Sequence, residues 1–225
     1  MDVINSKQIE ELSKIDTATI ANAVEPFNFR SNTEGFMGMD VSCMFPDLGV
    51  MVGQAVTVTL DTTTHGRKHD RNVRYELFEA IEIAPNPVVI VMKNIGSRES
   101  HSCHFGDGLA TICSKLGAVG VVTDGGVRDI DTVYEMNFNY FAPGVVPAHG
   151  NFGFHEVGVP VEISGVTIEP GDIIHGDVNG VVMIPPNRVD DVISESHRVL
   201  KKESELREWV STEEFSIENL RKRIG

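Results

Sequence analysis

The sequence predicts a single α/β domain spanning residues 1–225, and three observations lead to that prediction. The chain has 225 residues and a hydrophobic content of 41%, which is enough for one sizeable core. Segments with helical spacing of apolar residues alternate with short apolar strands through the first two thirds of the chain. Short strands punctuated by Gly and Pro then follow, and a long amphipathic segment closes the chain. Alternation of helices and strands is typical of α/β proteins.

In the first half of the chain, apolar spacing predicts one N-terminal helix that Pro26 ends. The Gly-, Met- and Phe-containing stretch after it shows no period and is interpreted as a long loop. The predicted elements are a helix over Ile9–Val24, the loop over 27–47, a strand over Gly53–Leu60, a helix near Asn72–Ile83 and a buried strand over Val88–Met92.

In the second half, one more helix and one more buried strand are predicted before the pattern changes. Asn187 is predicted to cap a final helix that spans residues 188–210 and carries an apolar stripe. The predicted elements are a helix over Leu109–Leu116, a strand over Val119–Val122, short strands from Val159 onward, and the final helix.

Charge and composition exclude several functional classes. There are 33 acidic and 19 basic residues, so the formal net charge is −14, which repels the phosphates of nucleic acids. Neither an export signal nor an apolar run long enough for a membrane span is seen. The three cysteines, Cys43, Cys103 and Cys113, lack metal-type spacing and suit buried thiols. A cytoplasmic protein that binds neither nucleic acid nor membrane is expected.

The segment from Gly106 to Asp131 carries the strongest indication of a binding site. Its order is loop, helix, strand, loop, with Asp107 in the first loop and the pair Arg128 and Asp129 in the second. Loops that flank one helix and one strand return to the same edge of a sheet. Asp107, Arg128 and Asp129 are therefore expected to face one pocket.

Two interpretations of Asp107 are open. An Asp just before a helix commonly caps it, by accepting hydrogen bonds from the N–H groups of the first turn. Alternatively, Gly106 and Gly108 let a ligand approach the backbone, so that the free N–H groups at the helix start bind a carboxylate. Both interpretations can hold together.

Arg128 and Asp129 follow two glycines after an apolar strand, where α/β proteins place ligands. A solvated ion pair is the simpler alternative. The guanidinium fork of Arg128 matches a carboxylate, and Asp129 offers a hard oxygen ligand for Mg²⁺ or Mn²⁺. Together the two side chains suit a 2-oxo acid.

The chain resembles the family that contains the regulator of ribonuclease E activity A and the class II 4-hydroxy-4-methyl-2-oxoglutarate aldolases. The resemblance covers nearly the whole chain and depends on an ordered set of short motifs, each weak alone. The motifs are Asp16-Thr17-Ala18, Gly53-Gln54-Ala55-Val56-Thr57, Phe105-Gly106-Asp107, Gly117-x-x-Gly120, Gly125-Gly126-x-Arg128-Asp129, and Pro170-Gly171-Asp172 through Gly176-Asp177-x-x-Gly180-Val181.

The resemblance implies a swivelling β/β/α fold with a mixed central sheet, assembled as trimers or hexamers. It implies that Arg128 contacts the pyruvate moiety, that Asp129 holds the divalent metal, and that Asp107 lies beside the substrate and an ordered water. Substrate binding is assigned to Gly106, Gly108 and Leu109 as well as Arg128.

The resemblance also implies that the helix over 188–210 packs at a subunit interface and that an acidic residue from a neighbouring subunit's C-terminal region completes each site. Glu203 is the candidate here. Helical spacing places it on the face of Val199, Leu200 and Leu206. A charge on an apolar face needs a partner or water. The alternative is an edge position from which the carboxylate reaches solvent.

Two residues depart from the family's pattern, in which Asp is common at the position of Asn22 and an acidic residue at that of Lys93. Lys93, at a strand end, raises a Schiff-base mechanism as an alternative. His101 and His104 have a spacing that suits a metal only if helical, and a loop is expected there. Four further histidines are candidates for lining a pocket: His65, His69, His149 and His155.

The function expected from sequence is a Mg²⁺- or Mn²⁺-dependent lyase. It would cleave a 4-hydroxy-2-oxo dicarboxylate to pyruvate by a retro-aldol reaction, and would also decarboxylate oxaloacetate. The alternative is an acidic binding protein that regulates a ribonuclease or another enzyme through its surface charge.

Overall fold

The computed structural model describes residues 4–66 and 68–224, and the helices and strands below lie within them. The helices are α1 (Ser6–Leu12), α2 (Thr17–Val24), α3 (Val73–Ile83), α4 (Asp107–Lys115), α5 (Ile130–Glu135), α6 (Val189–Val210) and α7 (Ile217–Ile224). The strands are β1 (Ser42–Cys43), β2 (Met51–Asp61), β3 (Val88–Asn94), β4 (Cys103–Phe105), β5 (Ala118–Thr123), β6 (Gly126–Val127), β7 (Asn139–Ala142), β8 (Gly153–Val157), β9 (Val161–Ile163), β10 (Val166–Ile168), β11 (Ile173–Asp177) and β12 (Gly180–Ile184).

The central sheet is mixed, with the order β1-β7-β5-β3-β2-β11-β12. Strands β2, β3, β5 and β7 run parallel, and β1, β11 and β12 pair antiparallel with their neighbours. Strand β2 is buried along its length. On one edge it pairs with two strands, with β11 through its first residues and with β8 through its last. Two small pairs lie outside this sheet: the hairpin β9–β10 and the parallel pair β4–β6.

Both faces of the parallel strands are covered, which explains their continuous apolar character. On one face, Ile90 and its neighbours pack against α3, α4 and α5. On the other face, Val89 and Val91 pack against the β9–β10 hairpin. A third cluster joins α1, α2 and α6 to β11 and β12. The hairpin, sheet and helix layers confirm the expected swivelling β/β/α fold with a mixed central sheet.

The single N-terminal helix predicted over Ile9–Val24 is wrong, because the chain forms two helices, α1 and α2. Asp16 interrupts the pattern. Its backbone is extended, and its side chain accepts hydrogen bonds from the Thr19 backbone N–H and hydroxyl at 2.9 and 2.7 Å. A local capping interaction therefore outweighs the helical spacing of the apolar residues. Helix α2 ends at Val24, and Pro26 lies in the 3₁₀ turn that follows.

The predicted cap of the last long helix is also wrong. Asn187 lies inside a 3₁₀ turn, Pro186–Arg188, and Arg188 occupies the N-cap position without a side-chain cap. Because Pro186 begins this turn, α6 starts at Val189. The helix packs on α2 and α1 through its first half.

The short helix α7, which the apolar pattern did not predict, follows α6. Apolar side chains near this end remain exposed in the isolated chain, at 40% for Leu206, 43% for Val210 and 61% for Ile217. Among the described residues, no helix is both long enough and apolar enough to cross a bilayer.

Candidate active site

A cleft of about 540 Å³ opens beside the first turn of α4. Five residues assigned to the site from sequence lie in its walls: Gly106, Asp107, Gly108, Leu109 and Arg128. Asp129, which was expected to face the same pocket, does not line the cleft but lies next to two residues that do. Six others, on α3, on α4 and before β8, were not anticipated as a group: Arg74, Tyr75, Phe78, Ile112, His149 and Phe152. Of these six, only His149 is a candidate from sequence. The other five could not be predicted, because contacts between distant segments leave no local pattern in the sequence.

The short parallel pair β4–β6 brings the two predicted loops together. The N–H of Arg128 donates to the carbonyl of Phe105 at 3.0 Å, and the N–H of Gly126 donates to the carbonyl of Ser102 at 2.9 Å. Both strands end at the same edge, so the loop at Gly106 lies beside the loop at Arg128. The two loops therefore share one edge, as expected. The strands that create this edge, β4 and β6, are too short to be predicted from sequence.

Asp129 has a left-handed backbone conformation, with φ 58° and ψ 41°. Although it precedes α5, its side chain does not cap that helix. Instead, Oδ2 accepts a hydrogen bond from the backbone N–H of Asp107 at 3.1 Å. The Asp129 carboxylate thus lies at the N-terminus of α4, where a negative charge is favoured by the helix dipole.

Arg128 lies between a carboxylate and a carbonyl group. Its Nε is 3.3 Å from Asp129 Oδ2, and an Nη donates to the Pro147 carbonyl at 3.3 Å. The side chains of Arg128 and Asp129 keep 36% and 34% of their surface exposed, so water weakens this ion pair. A guanidinium carries several N–H donors in a fork, and donors remain for a ligand carboxylate.

The capping interpretation of Asp107 is confirmed in part, because the side chain accepts from an N–H of the first turn although Asp107 is not the N-cap residue. Gly106 occupies the N-cap position of α4, and Asp107 is the first residue of the helix. The Asp107 Oδ1 accepts from the N–H of the next residue, Gly108, at 2.6 Å. The exposed Asp107 carboxylate lies at the cleft. The backbone N–H of Asp107, at the start of the helix, donates to the side chain of the more distant Asp129.

The two glycines that flank Asp107 differ in their surroundings. A Cβ on Gly106 would lie 2.6 Å from Asp129 Oδ2 and 3.0 Å from Arg128 Nε. A Cβ on Gly108 would meet no heavy atom within 4 Å. Close approach of the Arg128 and Asp129 side chains therefore requires glycine at 106, whereas position 108 is open.

Lys93 forms an ion pair with Asp124. Its Nζ lies 2.5 Å from Asp124 Oδ2, and Asp124 Oδ1 accepts from the N–H of Asn94 at 2.7 Å. Burial lowers the pKa of Lys93, but its bond to Asp124 outweighs burial and raises the pKa overall. A protonated, paired amine is unsuited to attack a keto group. Asn22 lines a separate cavity beside α2.

His104 is a neutral side chain in the wall of the cleft, with 1% of its surface exposed. The Thr123 hydroxyl donates to the Met92 carbonyl at 2.8 Å, so it accepts from His104 Nδ1 at 2.7 Å. The proton is therefore on Nδ1, and Nε2 has no partner among the described residues. Burial, with a smaller contribution from Lys93, lowers the pKa of His104 to about 4.

The other histidines are dispersed. His101 lies in an exposed 3₁₀ turn, and His69 joins His149 in a second cavity next to the cleft. His65 and His155 are exposed and line neither cavity. In residues 4–66 and 68–224, no group of three or more His, Cys, Asp or Glu side chains is arranged to hold a metal ion.

The three cysteines are free thiols. Burial raises the pKa of Cys103, which lines the cleft, and raises that of Cys113 to about 12. Both thiols are therefore protonated near neutral pH and are poor nucleophiles.

The Glu203 carboxylate lies on the outer part of α6 and does not line the cleft of its own chain. Its side chain is 41% exposed, and it accepts from an Nη of Arg207, one helical turn later, at 3.4 Å. The carboxylate thus has both a local partner and access to solvent, which agrees with the edge position given as the alternative.

Fold and cleft together define a layered α/β protein with an arginine and two carboxylates on paired loops at one sheet edge. The chain belongs to the RraA-like family, Aldolase/RraA, whose sequence model matches residues 17–183.

Two relatives illustrate the similarity. Over 163 residues the chain is 34% identical to uncharacterized protein MJ0644 of Methanocaldococcus jannaschii, covering 72% of this chain and 73% of that protein. Over 94 residues it is 35% identical to a Halalkalibacterium halodurans protein named "Putative 4-hydroxy-4-methyl-2-oxoglutarate aldolase", covering 41% of this chain and 45% of that protein.

Solved structures share the fold over most of the chain. A crystal structure of an uncharacterized protein from Pseudomonas syringae pv. tomato matches with a TM-score of 0.77 and 26% identity, covering 98% of this chain and 95% of that one. Streptomyces coelicolor RraAS2, described as an unusual member of the RNase ES inhibitor RraA family, matches with a TM-score of 0.73 and 19% identity, covering 92% and 98%. At that identity the second match supports the fold alone.

Proposed function

We propose that the protein is a divalent-metal-dependent lyase that cleaves a 4-hydroxy-2-oxo dicarboxylate to pyruvate by a retro-aldol reaction. The observation that carries the proposal is the convergence of Asp107 and Arg128, which line the cleft, with Asp129 beside them, through the 3.1 Å hydrogen bond from the Asp107 N–H to Asp129. Similarity to proteins named as putative aldolases supports the same reaction class.

The donor set fits a hard divalent cation that keeps most of its water. Asp129 offers a partly exposed carboxylate, and Asp107 places a second one on the same edge. Mg²⁺ is typically held by one or two carboxylates and several waters, so a larger cluster is not required. Asp129 would hold Mg²⁺ or Mn²⁺. When bound, such an ion supplies Lewis-acid polarisation of a keto oxygen.

The chain's own residues bind and orient the oxo acid. The Arg128 guanidinium binds the carboxylate next to the keto group and stabilises the negative charge that develops on the enolate. The first turn of α4, where Gly108 and Leu109 line the same wall, favours an anion through the helix dipole, although the Gly108 N–H already donates to Asp107. Asp107 accepts the proton of the 4-hydroxyl group, directly or through water. Oxaloacetate decarboxylation leaves the same enolate and is proposed as a second activity.

The test is pyruvate release from 4-hydroxy-4-methyl-2-oxoglutarate and from oxaloacetate, with Mg²⁺, with Mn²⁺ and with EDTA. Activity should require the metal, and both Arg128→Ala and Asp129→Ala should abolish it in folded protein. Arg198→Ala, which removes an exposed arginine of α6, is the matched control and should keep full activity. Near-normal turnover by both site variants would refute the site assignment.

We also propose a homotrimer or a hexamer, in which Glu203 of one subunit reaches a neighbour's site. The exposed apolar side chains near the end of α6 and in α7 support a covered surface there. Analytical ultracentrifugation measures the assembly, and a monomer at working concentration would contradict it. Mixing Glu203→Gln with Arg128→Ala subunits should restore part of the activity if sites are shared. The free thiols agree with the proposed cytoplasmic location.

A second candidate function is regulation of a ribonuclease or another enzyme through acidic surface. The net charge of −14 favours docking onto basic segments. If this were the main role, binding to the partner enzyme would survive EDTA and Asp129→Ala. The purified protein would then release no pyruvate in the metal-dependent assay.

A further inference from the structure

The cleft is one part of a larger recess. A second cavity, of about 670 Å³, adjoins it and shares four of its residues: Arg74, Tyr75, His149 and Phe152. Arg128 lines only the first cavity, whereas Arg74 lines both. The recess therefore has a second guanidinium beyond the one proposed to bind the oxo-acid carboxylate.

Aromatic rings hold Arg74 in place. Its guanidinium carbon lies 5.7 Å from the centre of the Phe152 ring and 5.8 Å from that of Phe154. The two rings meet edge to face with centres 5.0 Å apart, and His149 meets Phe152 in the same way at 6.2 Å. Stacked on these rings, the guanidinium loses less freedom when it binds a ligand.

Arg74 has no acidic partner in the part of the chain that the structure describes. Other arginines of the chain do: Arg188 pairs with Asp191 at 3.1 Å, and Arg198 pairs with Glu195 at 2.7 Å. In a chain with a net charge of −14, an arginine without a carboxylate at a cavity wall is notable. The fork of Arg74 keeps its donors for an external anion.

The walls of the two cavities reverse the charge balance of the whole chain. They contain three arginines, Arg71, Arg74 and Arg128, and two acidic residues, Asp70 and Asp107. The walls thus carry a net positive charge in a chain that is strongly negative overall, and a net positive recess attracts anionic ligands. The rest of the first cavity is largely apolar, with Phe78, Leu109 and Ile112. This combination suits a ligand with two separate anionic groups on a short carbon chain.

We propose that Arg74 binds the distal carboxylate of a dicarboxylic 2-oxo acid, while Arg128 binds the carboxylate next to the keto group. This inference rests on the proposed function, because it adds a specificity-determining residue to the same cleft. Arg74 selects dicarboxylates over monocarboxylates of equal length, since a charge-assisted hydrogen bond at the distal end is available only to the dicarboxylate.

The test uses two probes that lack the 4-hydroxyl group and therefore cannot undergo retro-aldol cleavage, 2-oxoglutarate and 2-oxopentanoate. Calorimetric titration in the presence of Mg²⁺ should show that the wild-type protein binds 2-oxoglutarate about tenfold more tightly. Arg74→Gln should remove that preference and leave the affinity for 2-oxopentanoate unchanged. Arg128→Gln should weaken the binding of both probes.

The matched control is Arg188→Gln, since the Arg188 guanidinium also lies over a phenylalanine, 5.7 Å from the Phe29 ring centre, but outside the recess. It should keep the full preference. A wild-type protein that binds both probes equally or binds neither, or an Arg74→Gln variant that keeps the preference, would overturn the inference.

This outcome is separable from that of the proposed lyase activity. If pyruvate is released but no Arg74-dependent preference exists, only the role of Arg74 fails. If the preference depends on Arg74 but no substrate yields pyruvate, the lyase proposal fails and the recess remains a dicarboxylate-binding site.

Discussion

The carboxylate of Asp129 accepts a hydrogen bond from the backbone N–H of Asp107 at 3.1 Å, and this bond ties together the two loops of the candidate site. It joins Asp129, the second residue after β6, to the first residue of α4. A residue with a left-handed backbone thus caps a helix other than the one it precedes. The position of the carboxylate depends on that backbone conformation.

Replacing Asp129 separates its charge from its shape. Asp129→Asn should keep the fold, because Asn tolerates the left-handed region and its amide oxygen still accepts from Asp107. Asp129→Ala should lower the free energy of unfolding by about 1–2 kcal/mol, since both the cap and the tolerated conformation are lost. Urea unfolding measures this difference. Both variants should lose metal-dependent pyruvate release, and an active Asp129→Asn enzyme would contradict the metal role.

The glycine pair offers a sharper steric test. Gly106→Ala places a Cβ 2.6 Å from Asp129 Oδ2, so the side chains of Arg128 and Asp129 must shift. A displacement of this kind should lower kcat/KM by about 10- to 100-fold. Gly108→Ala meets no atom within 4 Å and should change the free energy of unfolding by less than about 1 kcal/mol. Equal kinetic and stability profiles for the two variants would show that Gly106 has no special role.

His104 should make the protein sensitive to mild acid. Its pKa in the folded state is about 4, below the unfolded value of 6.5, so the unfolded chain takes up the proton first as the pH falls. The stabilisation is complete above pH 6.5 and is lost towards pH 4, by up to about 3 kcal/mol. His104→Asn should flatten this loss in urea unfolding measured from pH 7 to 4. The exposed control His155→Asn should retain the wild-type profile.

Lys93 should act as a structural residue. Because it is protonated and paired with Asp124, sodium borohydride added with pyruvate should leave the mass of the protein unchanged. Lys93→Met should lower the free energy of unfolding by about 2 kcal/mol, since Asp124 loses its charged partner. Pyruvate release per folded molecule should stay within a few-fold of wild type. A borohydride-stable adduct absent from Lys93→Met would establish the Schiff-base mechanism instead.

The regular elements of the middle of the chain were predictable, because period and burial are local properties of sequence. The strands β2, β3 and β5 and the helices α3 and α4 lie where apolar spacing placed them, with ends shifted by at most two residues. Predictions failed where a short-range polar contact competes with that spacing. Asp16 divides the N-terminal helix, and the turn at Pro186 displaces the start of α6.

The candidate site was likewise predictable from sequence only in part. Sequence alone indicated that Asp107, Arg128 and Asp129 share an edge, since chain order and strand direction fix where loops return. Only the tertiary structure decided that Asp129 caps α4, that Gly106 must lack a side chain, and that Arg74 stands over Phe152 at the same recess. Those relationships join residues far apart in the chain, and their distances depend on how separate elements pack, which no local pattern of residues encodes.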